Sequence, residues 1–134
     1  MIEHPNSLLL HHCLQAASVG DRQTLRALWA DDIVWRVMGT DDQQGEIKGA
    51  DQIFEYLADI GELGGVGVQT EVEDIMISHH RAAVICRSQA SQRGSELDAR
   101  FLIVATIEDR RIQGLMSLPM DPSRIEAFWS TQAL

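Results

Sequence analysis

Residues 68–120, VQTEVEDIMISHHRAAVICRSQASQRGSELDARFLIVATIEDRRIQGLMSLPM, decide the fold. They contain four runs rich in β-branched and apolar residues, at 68–78, 81–90, 96–107 and 111–120, which short polar segments separate. Strands joined by such short turns pair antiparallel, because a parallel crossover needs a dozen or more residues. The second half of the chain therefore predicts a four-stranded antiparallel meander.

Two helices are predicted at the start of the chain. Apolar residues recur at spacings of three and four over residues 6–19, where Asn6 or Ser7 can cap the start and Gly20 can end the helix. Asp21 then offers the cap of a second, short helix. The turn between the two helices is therefore expected at Gly20 and Asp21.

The remaining segments complete an α+β pattern. A β-rich run at 33–38 follows the second helix, and residues 39–49 form a polar loop with a short hairpin-like segment before its end. Residues 50–60 predict a third helix, and residues 121–129 predict a capped terminal helix. Because helices and strands are segregated along the chain, we expect helices that cover one face of a curved antiparallel sheet.

Composition limits the classes of function. The chain has 134 residues, 45% of them hydrophobic, and a net charge of -9, which fits one globular domain over residues 1–134. A negative field repels phosphate backbones and anionic lipid, so we expect neither a nucleic-acid nor a membrane partner. Cys13 and Cys86 are too few for a disulfide framework or a zinc site, so we expect reduced, buried thiols, no metal and no cofactor. The first residues lack a basic region followed by a long apolar run, which predicts a cytoplasmic protein.

Several short motifs occur in a definite order along the chain. They are Gly20-Asp21 between two helices, LWADDIVW at 28–35, GEIKG at 45–49, EDRRI at 108–112, and PMD at 119–121 with Phe128-Trp129. Their order and spacing resemble the SnoaL-like and ketosteroid-isomerase-like domains of the nuclear transport factor 2-like superfamily. The resemblance covers about residues 7–129, and Arg110 stands where that family usually has glycine.

The resemblance implies a conical barrel, in which helices pack on the concave face of a strongly curved antiparallel sheet and leave an apolar pocket. It also implies a homodimer through the outer face of the sheet. Alternation on the third long strand suits both expectations, since Ile103 faces one side while Leu102 and Val104 face the other, and both sides are apolar. A small hydrophobic molecule and a second subunit are therefore the expected partners.

The residues that carry ketosteroid isomerase chemistry in the resembling family are replaced in this chain. By register, the tyrosine, the aspartate base and the second acid fall on Cys13, Val37 and Ile103, and the aspartate of SnoaL-type cyclases also falls on Ile103. Val37 and Ile103 cannot move a proton, and the Cys13 thiol is a weak hydrogen-bond donor. We therefore predict no standard ketosteroid isomerase activity. The expected ligand-binding residues are Cys13, Trp35, Val37, Phe101, Ile103 and Met116, and the catalytic residues are unknown.

Other polar groups were weighed as alternatives. His12 flanks the Cys13 face of the first helix, but adjacent helical residues do not face each other. Asp98 and Arg100, with Arg87 nearby, would form a site resembling limonene epoxide hydrolase if they faced the pocket. Alternation instead places Asp98 and Arg100 on the outer face. We expect solvated turns or caps at three further pairs, which are Asp31-Asp32, Asp41-Asp42 and His79-His80.

Two functions remain open at this point. The first is an isomerase, cyclase or epoxide-hydrolase type of enzyme that acts on a polyketide-, steroid- or terpenoid-like molecule. The alternative is a non-catalytic ligand-binding or dimerisation module. A titratable side chain inside the pocket, such as His12, Asp98 or Asp121, would favour the enzyme, whereas a wholly apolar lining would favour the binding module.

Overall fold

The structure, a computed structural model, describes residues 4–38, 45–59, 69–92, 95–120 and 123. Within these residues it is an α+β protein with three helices and six strands. Their order is α1 (Pro5–Ser18), α2 (Arg22–Leu28), β1 (Trp29–Val37), β2 (Gly45–Lys48), α3 (Ala50–Asp59), β3 (Gln69–Ile77), β4 (Arg81–Gln92), β5 (Ser95–Glu108) and β6 (Arg111–Pro119). Apart from Ser123, the predicted terminal helix lies outside the described residues, as does the loop pair Asp41-Asp42.

Helix α1 begins before the predicted caps, because Pro5 at its first position has a backbone angle suited to a helix start. The residue that caps α1 is His4, whose Nδ1 accepts a hydrogen bond from the Asn6 backbone N–H at 3.1 Å. The Asn6 side chain is buried and donates to the carbonyl oxygens of Ser78 at 2.8 Å and His79 at 3.0 Å. Asn6 therefore does not cap α1 but ties it to the β3–β4 turn.

Two tight turns agree with the sequence. Gly20 ends α1 with φ of 72°, and the Asp21 carboxylate accepts from the Thr24 backbone N–H at 3.1 Å at the start of α2, as predicted. In the β5–β6 hairpin, Asp109 and Arg110 have φ of 50° and 62°. This left-handed conformation suits glycine, which gives a physical reason for the glycine that the resembling family carries where this chain has Arg110.

The six strands form one mixed sheet in the order β2-β1-β6-β5-β4-β3. The meander β3 to β6 is antiparallel, as predicted. The prediction of a wholly antiparallel sheet is wrong, because β1 runs parallel to β6, with Trp35 opposite Leu115 and Val37 opposite Ser117. The tight-turn argument covered only the meander, whereas residues 38–110 link β1 to β6 and can reach either direction. In the described part of the chain, β2 and β3 are the edges and no pairing between them closes the sheet.

Strand β1 is longer than the sequence predicted. It begins at Trp29, ahead of the predicted run at 33–38, and it includes the exposed Asp31 and Asp32, which we expected in a turn. Aspartate is a poor strand former, so the sequence favoured a turn there. An irregular register between Trp29 and Val34 accommodates the two carboxylates within the strand.

All three helices contribute to one buried cluster with a single face of the sheet. The most buried large side chains are Phe54, Leu25, Ile33, Ile53, Ile112, Val84 and Cys86. The predicted alternation on β5 is confirmed, since Ala105 is buried in this cluster while Asp98 and Arg100 are exposed on the other face. The space between the helices and this inner face is where the candidate site lies.

Candidate functional site

A cavity of about 150 Å³ lies between the helices and the inner face of the sheet. Its lining is mostly apolar and comes from all three helices and five of the strands. The described lining residues are Leu10, Cys13, Leu14, Ala17, Leu25, Trp29, Trp35, Tyr56, Leu57, Thr70, Val84, Cys86, Ser88, Phe101, Ile103, Ile112, Leu115 and Ser117. A cavity of about this size in another protein accepts a benzene ring, while sites for drug-sized ligands measure about 300–1,000 Å³. The space within this cavity therefore fits a single ring or one part of a larger molecule.

The structure brings four of the six predicted ligand-binding residues together. Cys13, Trp35, Phe101 and Ile103 line the cavity. Val37 is buried on the same face of β1 as Trp35, but it packs in the core cluster and is not among the lining residues.

Met116 does not line the cavity because it lies on the opposite face of the sheet. It pairs with Val104, whereas the next residue, Ser117, pairs with Ile103 on the inner face. The pairing of β5 with β6 shifts by one residue between Thr106 and Ile107, so the inner face of β6 passes from Ile112 to Leu115 and Ser117. A strict two-residue period from Ile112 would have placed Met116 on the inner face, and the sequence pattern does not reveal a bulge of this kind.

Sequence reasoning missed the polar residues of the cavity wall. Tyr56, the single tyrosine of the chain, lines it from α3, and Ser88 and Thr70 line it from neighbouring strands with their hydroxyl oxygens 3.0 Å apart. Alternation on β4 could have found Ser88, which lies two residues after Cys86. Tyr56 lies within the predicted third helix, but it is not among the predicted site residues.

Trp35 and Ser117 form a hydrogen bond in the cavity wall. The Trp35 indole Nε1 donates to the Ser117 Oγ at 3.0 Å, and both side chains are buried. The Tyr56 ring meets the Trp35 ring edge-on, with centroids 6.1 Å apart and an interplanar angle of 64°. These contacts fix the orientation of two aromatic rings that border the cavity.

The charged groups considered for an epoxide-opening site lie outside the cavity. On the outer face, the Arg87 guanidinium donates two hydrogen bonds to the Asp98 carboxylate, each 2.7 Å long. Arg100 donates to Glu73 at 2.6 and 3.2 Å, and this interaction lowers the pKa of the Glu73 carboxyl. These four groups are paired with one another at the surface, so they form an ion-pair network rather than a pocket site.

Cys13 is a titratable residue of the cavity wall, and the pKa of its thiol is shifted. Burial raises this pKa to about 12, although a hydrogen bond with the Trp29 side chain acts in the opposite direction. The thiol is therefore protonated at neutral pH and is not poised as a nucleophile. His12 is exposed on α1, and Asp121 lies outside the described residues. Over the ranges that the structure describes, no carboxylate or imidazole lines the cavity.

Two further findings concern ligands and membranes. Among the described residues, no three or more histidine, cysteine, aspartate or glutamate side chains are grouped so that they could hold a metal ion. No described helix has both the length and the apolar character that crossing a bilayer requires.

Fold and cavity together define a small α+β domain in which the three described helices border an apolar space against one face of a mixed sheet. The chain belongs to the SnoaL-like domain family, which matches residues 10–114. Its structure has the nuclear transport factor 2-like fold, as the resemblance implied.

Solved structures of similar proteins cover nearly the whole chain. Bal32a, from a soil-derived mobile gene cassette, is 24% identical, with a TM-score of 0.84 over 93% of this chain and 96% of its own. A candidate SnoaL-like polyketide cyclase from Jannaschia sp. CCS1 is 15% identical, with a TM-score of 0.77 over 97% of this chain and 92% of its own. A nuclear transport factor 2-like protein from Burkholderia xenovorans is 16% identical, with a TM-score of 0.76 over 95% and 97%. At these identities the likeness concerns the fold alone, and no curated protein matches the sequence significantly.

Proposed function

We propose that this protein binds a small, neutral, hydrophobic molecule in the cavity between its helices and its sheet. The observation that carries the proposal is the lining, where apolar and aromatic side chains surround a few hydroxyl groups. A charged ligand is disfavoured, because among the described lining residues none is cationic or anionic and an unpaired buried charge is costly. The ligand is therefore expected to be a neutral ring compound or a larger molecule that inserts one ring.

The shape of the sheet is part of this proposal. Register irregularities occur in the pairs β1–β6, β3–β4 and β5–β6, and bulges of this kind bend a sheet. A sheet bent around the helices would give the conical pocket that the resemblance implies. The polyketide-, steroid- or terpenoid-like ligands considered above would then place one ring in the enclosed space.

Benzene is the first probe, because it matches the enclosed volume. We expect benzene to shift the NMR signal of the Trp35 indole N–H, since that group borders the cavity. Ile103→Trp adds bulk inside the cavity and should abolish the shift. Thr106→Trp adds the same bulk on the exposed outer face of the same strand and should leave the shift unchanged. No response of the wild-type protein to benzene would contradict the proposal. Native mass spectrometry of the protein as purified would then identify a natural ligand.

A second candidate function is catalysis on the bound molecule, of isomerase or cyclase type. Tyr56 favours it, because its phenol is a hydrogen-bond donor that lines the cavity, and one structural relative is a candidate polyketide cyclase. An enolisation assay tests it: exchange of the methyl protons of acetophenone in D₂O, followed by NMR. Exchange accelerated by the wild-type protein but not by Tyr56→Phe would support catalysis, and no acceleration would leave binding as the function.

We also propose that a second copy of the chain covers the outer face of the sheet. Side chains there form two apolar cross-strand rows, Ile85–Leu102–Leu118 and Ala83–Val104–Met116, although strands that face water usually carry polar residues. All three helices contribute to the cluster on the other face, so the described helices do not cover these rows.

Light scattering after size exclusion tests the dimer. The wild-type protein should be a dimer, and the double variant Leu102→Lys with Val104→Lys should be a folded monomer. Thr106→Lys, on the same face of β5 but outside the two rows, should remain a dimer. A wild-type monomer at high micromolar concentration would refute this assignment.

A further inference from the structure

Three polar side chains are buried in the described part of the chain, namely Asn6, Ser88 and Ser117. Asn6 holds α1 against the β3–β4 turn through two hydrogen bonds to backbone carbonyls. Ser88 and Ser117 both line the cavity, and each hydrogen-bonds to a side chain of a neighbouring strand, Ser88 to Thr70 and Ser117 to Trp35. A buried hydroxyl needs a hydrogen-bond partner, so the direction of these two hydrogen bonds decides which hydroxyl has a proton for a ligand.

Ser117 differs from Ser88 in the direction of its hydrogen bond. The indole Nε1 of Trp35 can only donate, so at 3.0 Å the Ser117 oxygen must be the acceptor. Within the described residues the Ser117 hydroxyl donates to no acceptor, and its proton remains available for a ligand. Ser88 shares its hydrogen bond with Thr70 at 3.0 Å, where either hydroxyl can be the donor.

The position of Ser117 in the sheet indicates which kind of acceptor its hydroxyl proton can reach. On the inner face of the sheet Ser117 lies opposite Ile103 of β5 and Val37 of β1, so it sits in the interior of the sheet rather than at an edge. Acceptance of the Trp35 N–H polarises the Ser117 O–H and makes it a better donor, because hydrogen bonds in a chain strengthen one another. In the described part of the wall, which is mostly apolar, the Ser117 hydroxyl is therefore a hydrogen-bond donor without an acceptor. An uncharged oxygen of a ligand would be the fitting acceptor.

We propose that Ser117, held by Trp35, donates a hydrogen bond to the carbonyl oxygen of the bound molecule, which is a neutral aromatic ketone or a similar carbonyl compound. The assignment rests on the proposed function, since it names the ligand class and one contact of the same cavity. Ser117 is thereby a specificity residue that separates a carbonyl compound from the hydrocarbon of the same shape.

Acetophenone and ethylbenzene are the two test ligands, because acetophenone has a carbonyl group where ethylbenzene has a methylene group. Their dissociation constants are measured by calorimetry for the wild-type protein, Ser117→Ala, Ser117→Thr and Ser88→Ala. We expect Ser117→Ala to weaken acetophenone relative to ethylbenzene about five- to tenfold, which is the size of one lost neutral hydrogen bond. Ser117→Thr keeps the hydroxyl and should keep the wild-type ratio. Ser88→Ala removes the other buried serine of the wall and should also keep it.

A measurement on the wild-type protein avoids any dependence on folding of the variants. The infrared carbonyl stretch of ¹³C=O acetophenone should shift to lower wavenumber in the complex than in an alkane solvent, because Ser117 donates to it. An unshifted band, or a ligand ratio that Ser117→Ala leaves unchanged while both compounds still bind, overturns the role of Ser117 and leaves the binding function intact. Failure of both compounds to bind overturns the binding function together with this assignment.

Discussion

Enlarging Ala17 should stabilise the protein, whereas the same change at its neighbour Ala16 should destabilise it. Both residues lie on α1 and both belong to or pack against the buried cluster. Ala17 borders the cavity, while Ala16 is buried away from it with 5% of its surface exposed. Ala→Leu costs almost the same helix propensity at both sites, so the comparison isolates the space that surrounds each side chain.

The magnitude follows from the volume that leucine would fill. Leucine adds three carbon atoms to alanine, each worth about 0.8 kcal/mol when fully buried. Because Ala17 is partly exposed, we expect Ala17→Leu to gain about 1–2 kcal/mol in the free energy of unfolding. Ala16→Leu inserts the same atoms where no cavity exists, and overpacking of this kind costs about 1–3 kcal/mol. The two variants should therefore differ by about 2–5 kcal/mol, the sum of these two effects.

Urea unfolding followed by tryptophan fluorescence measures both free energies of unfolding, and equal m-values show that the unfolded state is unchanged. Ala17→Leu should also weaken benzene binding, because the leucine occupies part of the 150 Å³. The reasoning is refuted if Ala17→Leu destabilises the protein as much as Ala16→Leu does. That result would mean that the space beside Ala17 is not open in solution.

Three further predictions concern single residues. Unfolding above pH 9 should deprotonate the Cys13 thiol, whose pKa is about 12 when folded and 9.0 otherwise. The free energy of unfolding should therefore fall as pH rises from 9 towards 12. Urea unfolding at pH 8 and pH 11 should show a smaller decrease for Cys13→Ala than for the wild-type protein. Asn6→Ala should lower the free energy of unfolding by about 1–3 kcal/mol through its two lost hydrogen bonds, and an equal loss in the exposed Gln15→Ala would contradict this. Arg110→Gly should raise the melting temperature. A residue with a side chain costs about 1–2 kcal/mol at φ of 62°, and the greater backbone entropy of glycine in the unfolded state offsets only about half of that gain. A lower melting temperature would show that the turn is not strained.

Local patterns predicted the elements that are fixed by nearby residues. The turn at Gly20 and Asp21 and the alternation along β5 follow from short-range chemistry, so the sequence was sufficient for them. The cap of α1 was misassigned because Asn6 serves a distant turn, a long-range contact that no local preference encodes. The parallel pairing of β1 with β6 likewise joins strands that are far apart in the chain, so no local pattern specifies it.

The sequence predicted only the site residues that are hydrophobic. Trp35, Phe101 and Ile103 were found because large apolar residues on an inner face are good candidates for a lining. Ser88 and Ser117 were missed because a small polar residue in a strand is usually exposed, and only the pairing of strands shows that these two are buried. An unfilled space is also a property of the packing of all its neighbours, which no single segment of sequence reports.

The small side chains around the cavity have an energetic consequence. A closed and empty cavity costs about 24 cal/mol per Å³, so 150 Å³ would cost at most about 3–4 kcal/mol, a large share of the 5–15 kcal/mol that stabilises a typical domain. Ala17, Ser88 and Ser117 stand where larger apolar residues would recover part of that energy. A core shaped by stability alone would be filled and free of hydroxyl groups, whereas a site that receives a ligand needs both the space and the hydrogen-bonding group. The proposed ligand would account for both the energetic cost of the cavity and the burial of Ser117, because it would fill the space and accept the proton.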